Sequence, residues 1–181
     1  MTSIDMIVRL GRRLRLLVAA TMAFLVAGAL ALFLMGVFSP GTLRDVLMEH
    51  ATAGRPVTLS AGALAGATVL GAAGLSLLLL ALKSLWDMFS EFERRAPLSR
   101  SAAGHLRQAG LLFLAFAIWR LVSVPVASLV LSVGNTPGER FVAVSIGSAD
   151  LLAVLTGGVL VIVGHVMALA AEIDEDNRQI V

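Results

Sequence analysis

Three ionisable side chains lie in or beside stretches of the sequence that carry almost no other charge. Arg120 is near the middle of one apolar stretch, Asp150 is at the start of the next, and His165 lies inside that second stretch. Such groups bind oppositely charged ligands or transfer protons, so we regard Arg120, Asp150 and His165 as a candidate ligand or proton site. The structural alternative is an Arg120–Asp150 ion pair, an acid that stabilises a helix N-terminus, and a histidine held by a packing hydrogen bond.

Catalytic and metal-binding patterns are missing from the rest of the sequence. The chain has no cysteine, and its three histidines are scattered. This excludes disulfides and thiolate metal sites and argues against a histidine metal site. A Gly-rich phosphate loop, a nucleophile elbow and an HExxH motif are absent as well. We therefore expect a protein that is not an enzyme and that needs neither a metal nor a cofactor.

Four long apolar stretches must position these residues, at 16–38, 59–82, 109–131 and 151–171. Each is about as long as the ~20 residues that a helix needs to cross a bilayer. The chain is 58% hydrophobic and 14% charged, whereas a soluble domain carries about 25% charged residues. We predict an all-α integral membrane protein, a four-transmembrane-helix bundle that forms one domain over residues 1–181. The helices are expected at about 4–38, 59–95, 149–176 and either 100–124 or 100–131, the shorter bound if Pro125 ends the third helix.

The distribution of basic residues predicts the orientation. Ten lysines and arginines fall in the N-terminal tail, the second connection and the C-terminal tail, and three fall in the other two connections. Loops rich in lysine and arginine stay in the cytoplasm, so both termini and the second connection are expected on the cytoplasmic side of the membrane. The sequence pI of about 10.4 reflects these residues. They suit anionic lipid headgroups, and we expect no direct contact with nucleic acid.

The two outer connections carry their own patterns. Thr42 and Asp45 resemble a capping box and predict a short helix over 42–50. Residues 128–133 and 140–146 flank a cluster of Gly, Asn and Pro and predict a small β-hairpin. The alternative is a continued membrane helix or an irregular loop. On the inner side, Ser99 follows Pro97 and is the expected N-cap of the third helix.

Small residues mark one face of the second helix. Glycine lets membrane helices approach closely, and a GxxxG spacing is typical of such contacts. The contact is expected inside the bundle or, alternatively, between two copies of the chain in a homo-oligomer. The glycines concerned are Gly62, Gly66, Gly71 and Gly74.

Charged residues at the inner end form a candidate partner surface. An acidic segment at the end of the fourth helix either docks on the basic second connection or binds a cytoplasmic partner. The structural alternative is a solvated helix end. The basic residues are Arg94, Arg95, Arg100 and Arg107, and the acids are Glu172, Asp174, Glu175 and Asp176.

Two segments resemble a known family. Residues 97–99 (Pro-Leu-Ser), with Leu106-Arg107 and Gly110, resemble a "PF[ST]…LRxxG" pattern, and residues 166–181 resemble a "VM.EA..L.E(D/E)NxxxV" ending. Both patterns are typical of the bacterial membrane-protein family called domain of unknown function 2975, although Leu98 replaces the usual phenylalanine. The resemblance implies a protein of a bacterial inner membrane with four membrane helices. It also implies a gene that neighbours a small helix-turn-helix regulator. It implies no catalytic residues.

Three functional hypotheses follow. The first is a non-enzymatic sensor or sequestering partner of a cytoplasmic helix-turn-helix regulator, with the inner charged residues as its surface. The second is an immunity or envelope-protection protein that binds a toxic, membrane-active peptide. The third is a small transporter or channel with Arg120, Asp150 and His165 along one path. Membrane lipid is an expected partner under all three.

Overall fold

The computed structural model describes residues 3–43, 45, 60–93, 99–132, 134, 142–144 and 147–179. Four long helices account for most of them: α1 (Ser3–Phe38), α2 (Ala61–Glu93), α3 (Arg100–Ser132) and α4 (Ser148–Gln179). The described residues contain no strand. The prediction of an all-helical fold with four long apolar helices is therefore confirmed.

Serine side chains cap the N-termini of two of the helices. The Ser60 hydroxyl accepts a hydrogen bond from the Ala63 N–H at 3.1 Å, and the Ser99 hydroxyl accepts one from the Ala102 N–H at 3.1 Å. The first turn of a helix leaves such N–H groups without a backbone acceptor, and the serine oxygen supplies one. Ser99 is thus the N-cap of α3, as predicted.

The third helix continues through Pro125 to Ser132, close to the longer of the two predicted bounds. The prediction of a hairpin is therefore wrong for its first strand, since residues 128–132 are helical. The Ser128 hydroxyl donates to the Pro125 carbonyl at 2.8 Å. Leu131 is buried in a cluster with Ala63 of α2. Packing between helices therefore outweighs the strand preference of the β-branched residues here.

Other parts of the α1–α2 and α3–α4 connections lie mostly outside the described residues. Of the second predicted strand, residues 142–144 are described and have no regular secondary structure. Residues 40–43 are helical after a break at Ser39, and the Leu43 N–H donates to the Ser39 carbonyl at 3.1 Å. This segment begins before Thr42, so Thr42 is not the N-cap that the capping-box pattern predicts.

The helices pack in chain order, each against the next. Close backbone approaches join α1 to α2, α2 to α3 and α3 to α4, whereas none joins α1 to α4 among the described residues. One apolar cluster, around Met88, Ala102 and Leu106, joins α2 to α3, and Leu160 of α4 packs on it. The described bundle is therefore open between its first and last helices, each of which has one helical neighbour.

Most of the apolar surface of the helices is exposed. Only 6–17% of the most apolar part of each helix is buried inside the structure, and Phe24 on α1 is 77% exposed. Soluble monomers rarely expose contiguous apolar patches larger than a few hundred Å². All four helices are long and apolar enough to cross a membrane.

Candidate functional site

The Arg120–Asp150 pair joins the middle of α3 to the first turn of α4. Nε of Arg120 lies 2.9 Å from Oδ1 of Asp150, so the structure brings the two predicted partners together. The side chain of Asp150 is 15% exposed and that of Arg120 is 41% exposed. Oδ1 forms no hydrogen bond with the described residues. The contact is thus an ion pair that lacks the alignment of a hydrogen bond.

The same carboxylate fixes the start of α4. Oδ2 of Asp150 accepts a hydrogen bond from the Gly147 N–H at 2.9 Å, while the Gly147 carbonyl accepts one from the Asp150 N–H at 3.1 Å. This is the half of a capping box in which the third helical residue binds back to the N-cap. A negative charge at this position also interacts favourably with the helix dipole. Asp150 therefore has two structural roles.

The pair lies far from the N-terminal end of α2 and the C-terminal end of α3. A Cβ atom on Gly74, well inside α2, would lie 3.0 Å from Nε1 of Trp119, the residue before Arg120. From Arg120, α3 continues to Ser132, a distance of about 18 Å at 1.5 Å per residue. The N-terminus of α4 is therefore recessed to the level of the middle of its neighbours.

Non-helical chain lies along the C-terminal half of α3, where α4 is absent. The Ala143 N–H donates to the Ser128 hydroxyl at 2.8 Å. Ala143 also packs against the apolar cluster formed by Ala63 and Leu131. Residues 142–144 thus cover part of the α2–α3 contact that lies beyond the N-terminus of α4.

His165 does not join the Arg120–Asp150 pair. It lies on an exposed face of α4, about 22 Å along the helix from Asp150. Its Nδ1 atom is 3.2 Å from the Val161 carbonyl, one turn earlier. The structure therefore separates the three residues of the predicted ligand or proton site into a pair and a distant histidine.

The end of α4 and the start of α3 together form a charged surface. Nε of Arg100 lies 3.1 Å from Oε2 of Glu175, and its Nη2 lies 3.8 Å from Oε1 of Glu172. All three side chains are more than half exposed, so these pairs contribute at most about 1 kcal/mol each. We call this region the tail surface, which comprises Arg100, Glu172, Ile173, Asp174, Glu175 and Asp176.

The other predicted basic partners are not part of the tail surface. Arg107 is exposed on α3, and the structure shows no ion pair between it and a described residue. Arg94 and Arg95 lie outside the described residues. Of the four predicted arginines, the structure thus brings Arg100 to the acidic segment.

An ion pair that the sequence did not indicate joins α1 to α2. Nη1 of Arg15 donates to Oε2 of Glu93 at 2.9 Å, and its guanidinium carbon lies 4.3 Å from the centroid of the Trp86 ring. A cation above an aromatic face gains about 0.5–2 kcal/mol. The sequence features that could have indicated this contact are an arginine at the edge of the first apolar stretch and an aromatic face on the second helix.

The predicted glycine face of α2 divides into two sets. An added Cβ would lie 2.9 Å from Val130 at Gly66 and 3.0 Å from Trp119 at Gly74, so these two glycines contact α3. Gly62 and Gly71 have open space at that position. Helix contact within the chain thus accounts for Gly66 and Gly74.

The tightest glycine contact lies instead between α3 and α4. A Cβ atom on Gly110 would lie 2.7 Å from both the Gly157 carbonyl oxygen and the Val161 backbone nitrogen. At Gly164 it would lie 2.8 Å from the Arg107 backbone nitrogen. Because these neighbours are backbone atoms, no side-chain movement relieves the overlap. Close packing of α3 on α4 is what holds Arg120 beside Asp150.

A groove of about 290 Å³ lies beside Arg120 between α2 and α3. Its walls are mostly apolar, and the polar groups among its lining residues are Arg120, Ser123 and the indole of Trp119. The indole N–H donates to the Leu70 carbonyl at 3.3 Å. The apolar lining residues include Leu70, Leu75, Phe116 and Val124.

The described residues contain no cluster of three or more His, Asp or Glu side chains that could hold a metal ion. The pair and the groove instead offer one guanidinium, one carboxylate and a mostly apolar wall. Comparison of the chain with protein-family models, curated proteins and solved structures gives no match, and the family resemblance noted above remains a prediction.

Proposed function

We propose that this chain is a multi-pass protein of a bacterial cytoplasmic membrane, with both termini and the α2–α3 connection in the cytoplasm. Four helices of sufficient length and hydropathy support this proposal, as does their exposed apolar surface. The basic residues concentrated at the N-terminal ends of α1 and α3 favour that orientation.

We further propose that the protein is a non-enzymatic sensor or sequestering partner of a small cytoplasmic helix-turn-helix regulator. The observation that carries this proposal is the tail surface. Acids at the C-terminal end of a helix oppose its dipole. The tail surface holds four acids and one arginine, and the side chains of Glu172 and Glu175 are each 57% exposed. The surface therefore produces a negative electrostatic field, which favours the binding of a basic partner.

The chemistry of the partner follows from that field. A DNA-binding module carries its lysines and arginines on the face that contacts phosphates. Docking of this basic face on the acidic tail surface excludes DNA from it, and release returns the regulator to DNA. Such binding weakens as salt rises, because exposed charges are screened over about 10 Å at 0.1 M ionic strength.

Site-specific photo-crosslinking tests this proposal. A photoreactive amino acid at Ile173, which is 55% exposed on the tail surface, should crosslink the regulator encoded beside this gene. The same residue at Ile162, 65% exposed on the apolar part of α4, is the matched control and should crosslink no soluble protein. Replacing Glu172, Asp174, Glu175 and Asp176 by Ser should abolish the Ile173 crosslink. Equal crosslinking from both positions, or a crosslink unaffected by the serine changes, would refute the proposed surface.

A second candidate function is immunity to a membrane-active peptide. A more enclosed apolar groove of about 370 Å³ supports it, formed by the outer halves of α1 and α2 with Leu43 and Leu131. Phe33 lies in its wall and Gly71 at its edge. A deletion strain with unchanged sensitivity to toxic peptides from sibling strains would remove this candidate. The transporter hypothesis loses its structural support, because His165 lies far from the Arg120–Asp150 pair.

A further inference from the structure

An open groove of about 490 Å³, here called the α3 groove, lies on the first three turns of α3. Four of its lining side chains carry hydrogen-bond donors, and none of the described residues that line it is acidic. Other residues of α3, among them Ala102, Leu106 and Ala109, are buried against the neighbouring helices. The groove therefore faces away from the bundle and presents donors without a carboxylate. Its lining residues are Ser101, Gly104, His105, Arg107, Gln108 and Leu111.

Arg107 supplies the positive charge of the α3 groove. Its backbone packs on α4, since a Cβ atom on Gly164 would lie 2.8 Å from the Arg107 backbone nitrogen. Its exposed side chain forms no ion pair with a described residue. A guanidinium carries five N–H donors in a planar fork. Helix packing thus fixes the position of Arg107 and leaves its guanidinium available to an anion.

The acids of the tail surface do not serve as that anion. Gly164 is level with Arg107, and Glu172, the first of the acids, follows eight residues later, about 12 Å further along α4. Glu172 and Glu175 contact Arg100 instead. Exposed charges that are separated by more than about 10 Å are largely screened at 0.1 M ionic strength. The anion that suits Arg107 therefore comes from outside the described chain.

The α3 groove lies at the level where the apolar stretches of α2 and α3 end. The stretch 109–131 of α3 begins directly after the groove donors, and the stretch 59–82 of α2 ends before Lys83. Met88 of α2 and Leu106 of α3 belong to one buried cluster, which puts these two ends within about one helical turn of each other. Both helices therefore change from apolar to polar sequence at the same level.

In the proposed membrane, this level is that of the lipid phosphates. A bilayer is about 40–45 Å thick around a hydrocarbon core of about 30 Å, so each headgroup layer measures about 5–8 Å. Gln108, Arg107 and His105 lie about 2–6 Å beyond the start of the stretch 109–131. His165 interrupts the apolar stretch of α4 at the same level, one residue after the glycine that packs on Arg107. The groove donors thus lie inside the headgroup layer and outside the hydrocarbon.

We propose that the α3 groove binds the headgroup of an anionic phospholipid, with the phosphate on the Arg107 guanidinium and the acyl chains beyond Leu111. Phosphate oxygens match the guanidinium fork with two parallel hydrogen bonds. A zwitterionic headgroup also brings an ammonium group, for which the described lining of the groove offers no carboxylate. The inference rests on the proposed membrane insertion, and the proposed orientation puts the groove in the cytoplasmic leaflet, where anionic lipids attract basic residues.

Two introduced cysteines supply the test, because the chain has none of its own. Leu111 lines the α3 groove and is 53% exposed, and Val122, about 16 Å further along α3 and outside the groove, is 54% exposed. Leu111→Cys and Val122→Cys are each labelled with the fluorophore bimane and reconstituted in phosphatidylcholine vesicles. The vesicles contain a small fraction of phosphatidylglycerol or phosphatidylcholine with a nitroxide on the acyl chain, which quenches bimane on contact.

The expected result is a lipid preference at one of the two positions. At Leu111→Cys, nitroxide phosphatidylglycerol should quench with an apparent affinity about five-fold higher than nitroxide phosphatidylcholine, the factor for one arginine beside anionic lipid. At Val122→Cys, the ratio should be about one. Sodium phosphate and sodium chloride at equal ionic strength should leave the same preference, because the groove is proposed to hold a lipid and not free phosphate.

Two substitutions with matched controls make the test specific. In the Leu111→Cys protein, Arg107→Gln should reduce the preference to about one. Arg13→Gln removes the same charge from an exposed position of α1, which makes no close approach to α3 among the described residues, and should leave the preference unchanged. Gly104→Leu fills the groove and should also reduce the preference, whereas Gly62→Leu, at an open position of α2, should not.

The outcomes separate the lipid site from membrane insertion. Equal quenching by the two nitroxide lipids at Leu111→Cys, or a preference that survives both Arg107→Gln and Gly104→Leu, overturns the lipid site and leaves membrane insertion intact. Loss of the preference in Arg13→Gln, or in phosphate but not in chloride, overturns the lipid site as well. Absence of quenching at both cysteine positions overturns membrane insertion. The Gly104→Leu variant keeps the test decisive even where Arg107→Gln fails to fold.

Discussion

Adding one methyl group at Gly110 should force α3 and α4 apart. In Gly110→Ala, the new Cβ would lie 2.7 Å from the Gly157 carbonyl oxygen, 2.7 Å from the Val161 backbone nitrogen and 2.8 Å from Val161 Cγ2. Ordinary contacts of this kind begin at about 3.4 Å. Two of the three atoms belong to the backbone, so the helices must separate by several tenths of an ångström. That separation also loosens the close contact at Gly164.

The expected cost follows from two opposing terms. Overpacking a tight contact costs about 1–3 kcal/mol, while replacing glycine by alanine inside a helix gains about 1 kcal/mol. Gly104→Ala carries only the second term, because Gly104 lies in the same helix and has open space at its Cβ position. The two variants share the propensity gain, so their difference should be about 1–3 kcal/mol. For a chain of this length, that difference lowers Tm by about 2–12 °C.

Thermal unfolding of the purified protein in one detergent measures that difference. Gly110→Ala should unfold at a lower temperature than Gly104→Ala, and Gly157→Ala should behave like Gly110→Ala. Gly158→Ala, next in the chain and open at its Cβ position, should behave like the Gly104 variant. Equal Tm values for Gly110→Ala and Gly104→Ala would refute the close approach of α3 and α4.

Three further changes test the ion pairs. Arg120→Leu should destabilise the protein more than Arg120→Leu combined with Asp150→Asn, because the single change leaves a mostly buried carboxylate without its ion-pair partner. A double-mutant cycle should give a coupling free energy of about 1–3 kcal/mol, and zero coupling would contradict the ion pair. Arg15→Lys should lower Tm by about 1–4 °C through loss of the stacked, hydrogen-bonded guanidinium, and an unchanged Tm would speak against that contact. Replacing Glu172 and Glu175 by Ser should change the free energy of unfolding by less than about 1 kcal/mol, since both are exposed; a larger loss would show that they stabilise the fold.

The helical architecture follows directly from the sequence, and parts of the site do too. Uninterrupted apolar stretches of bilayer length dictate helices, because a helix satisfies its own backbone hydrogen bonds. The pairing of Arg120 with Asp150 was predictable for a similar reason: few other charges compete for either residue. Ser99 carries a local signal, since a side-chain oxygen before a helical run is a typical cap.

Features that depend on the axial register between packed helices were not predictable from the sequence. Gly110 is one glycine in an apolar stretch, and its role requires that Gly157 of another helix reach the same level. The recessed start of α4 likewise depends on register. The apolar stretch 151–171 is long enough to cross a membrane on its own, so its length does not indicate that α4 begins level with the middle of its neighbours. The hairpin prediction failed because strand preference is weak beside packing: Leu131 buried near Ala63 keeps residues 128–132 helical.

Cysteine accessibility tests the central claim, the orientation of the four helices in a cytoplasmic membrane, most directly. The chain has no cysteine, so each introduced cysteine reports on one position. Thr42 is exposed after the end of α1, Ser101 at the start of α3, and Asp176 on the tail surface. In intact spheroplasts, a membrane-impermeant maleimide should label Thr42→Cys at once, and Ser101→Cys and Asp176→Cys only after permeabilisation. Labelling of Asp176→Cys in intact spheroplasts would contradict the orientation and remove the tail surface from the cytoplasm.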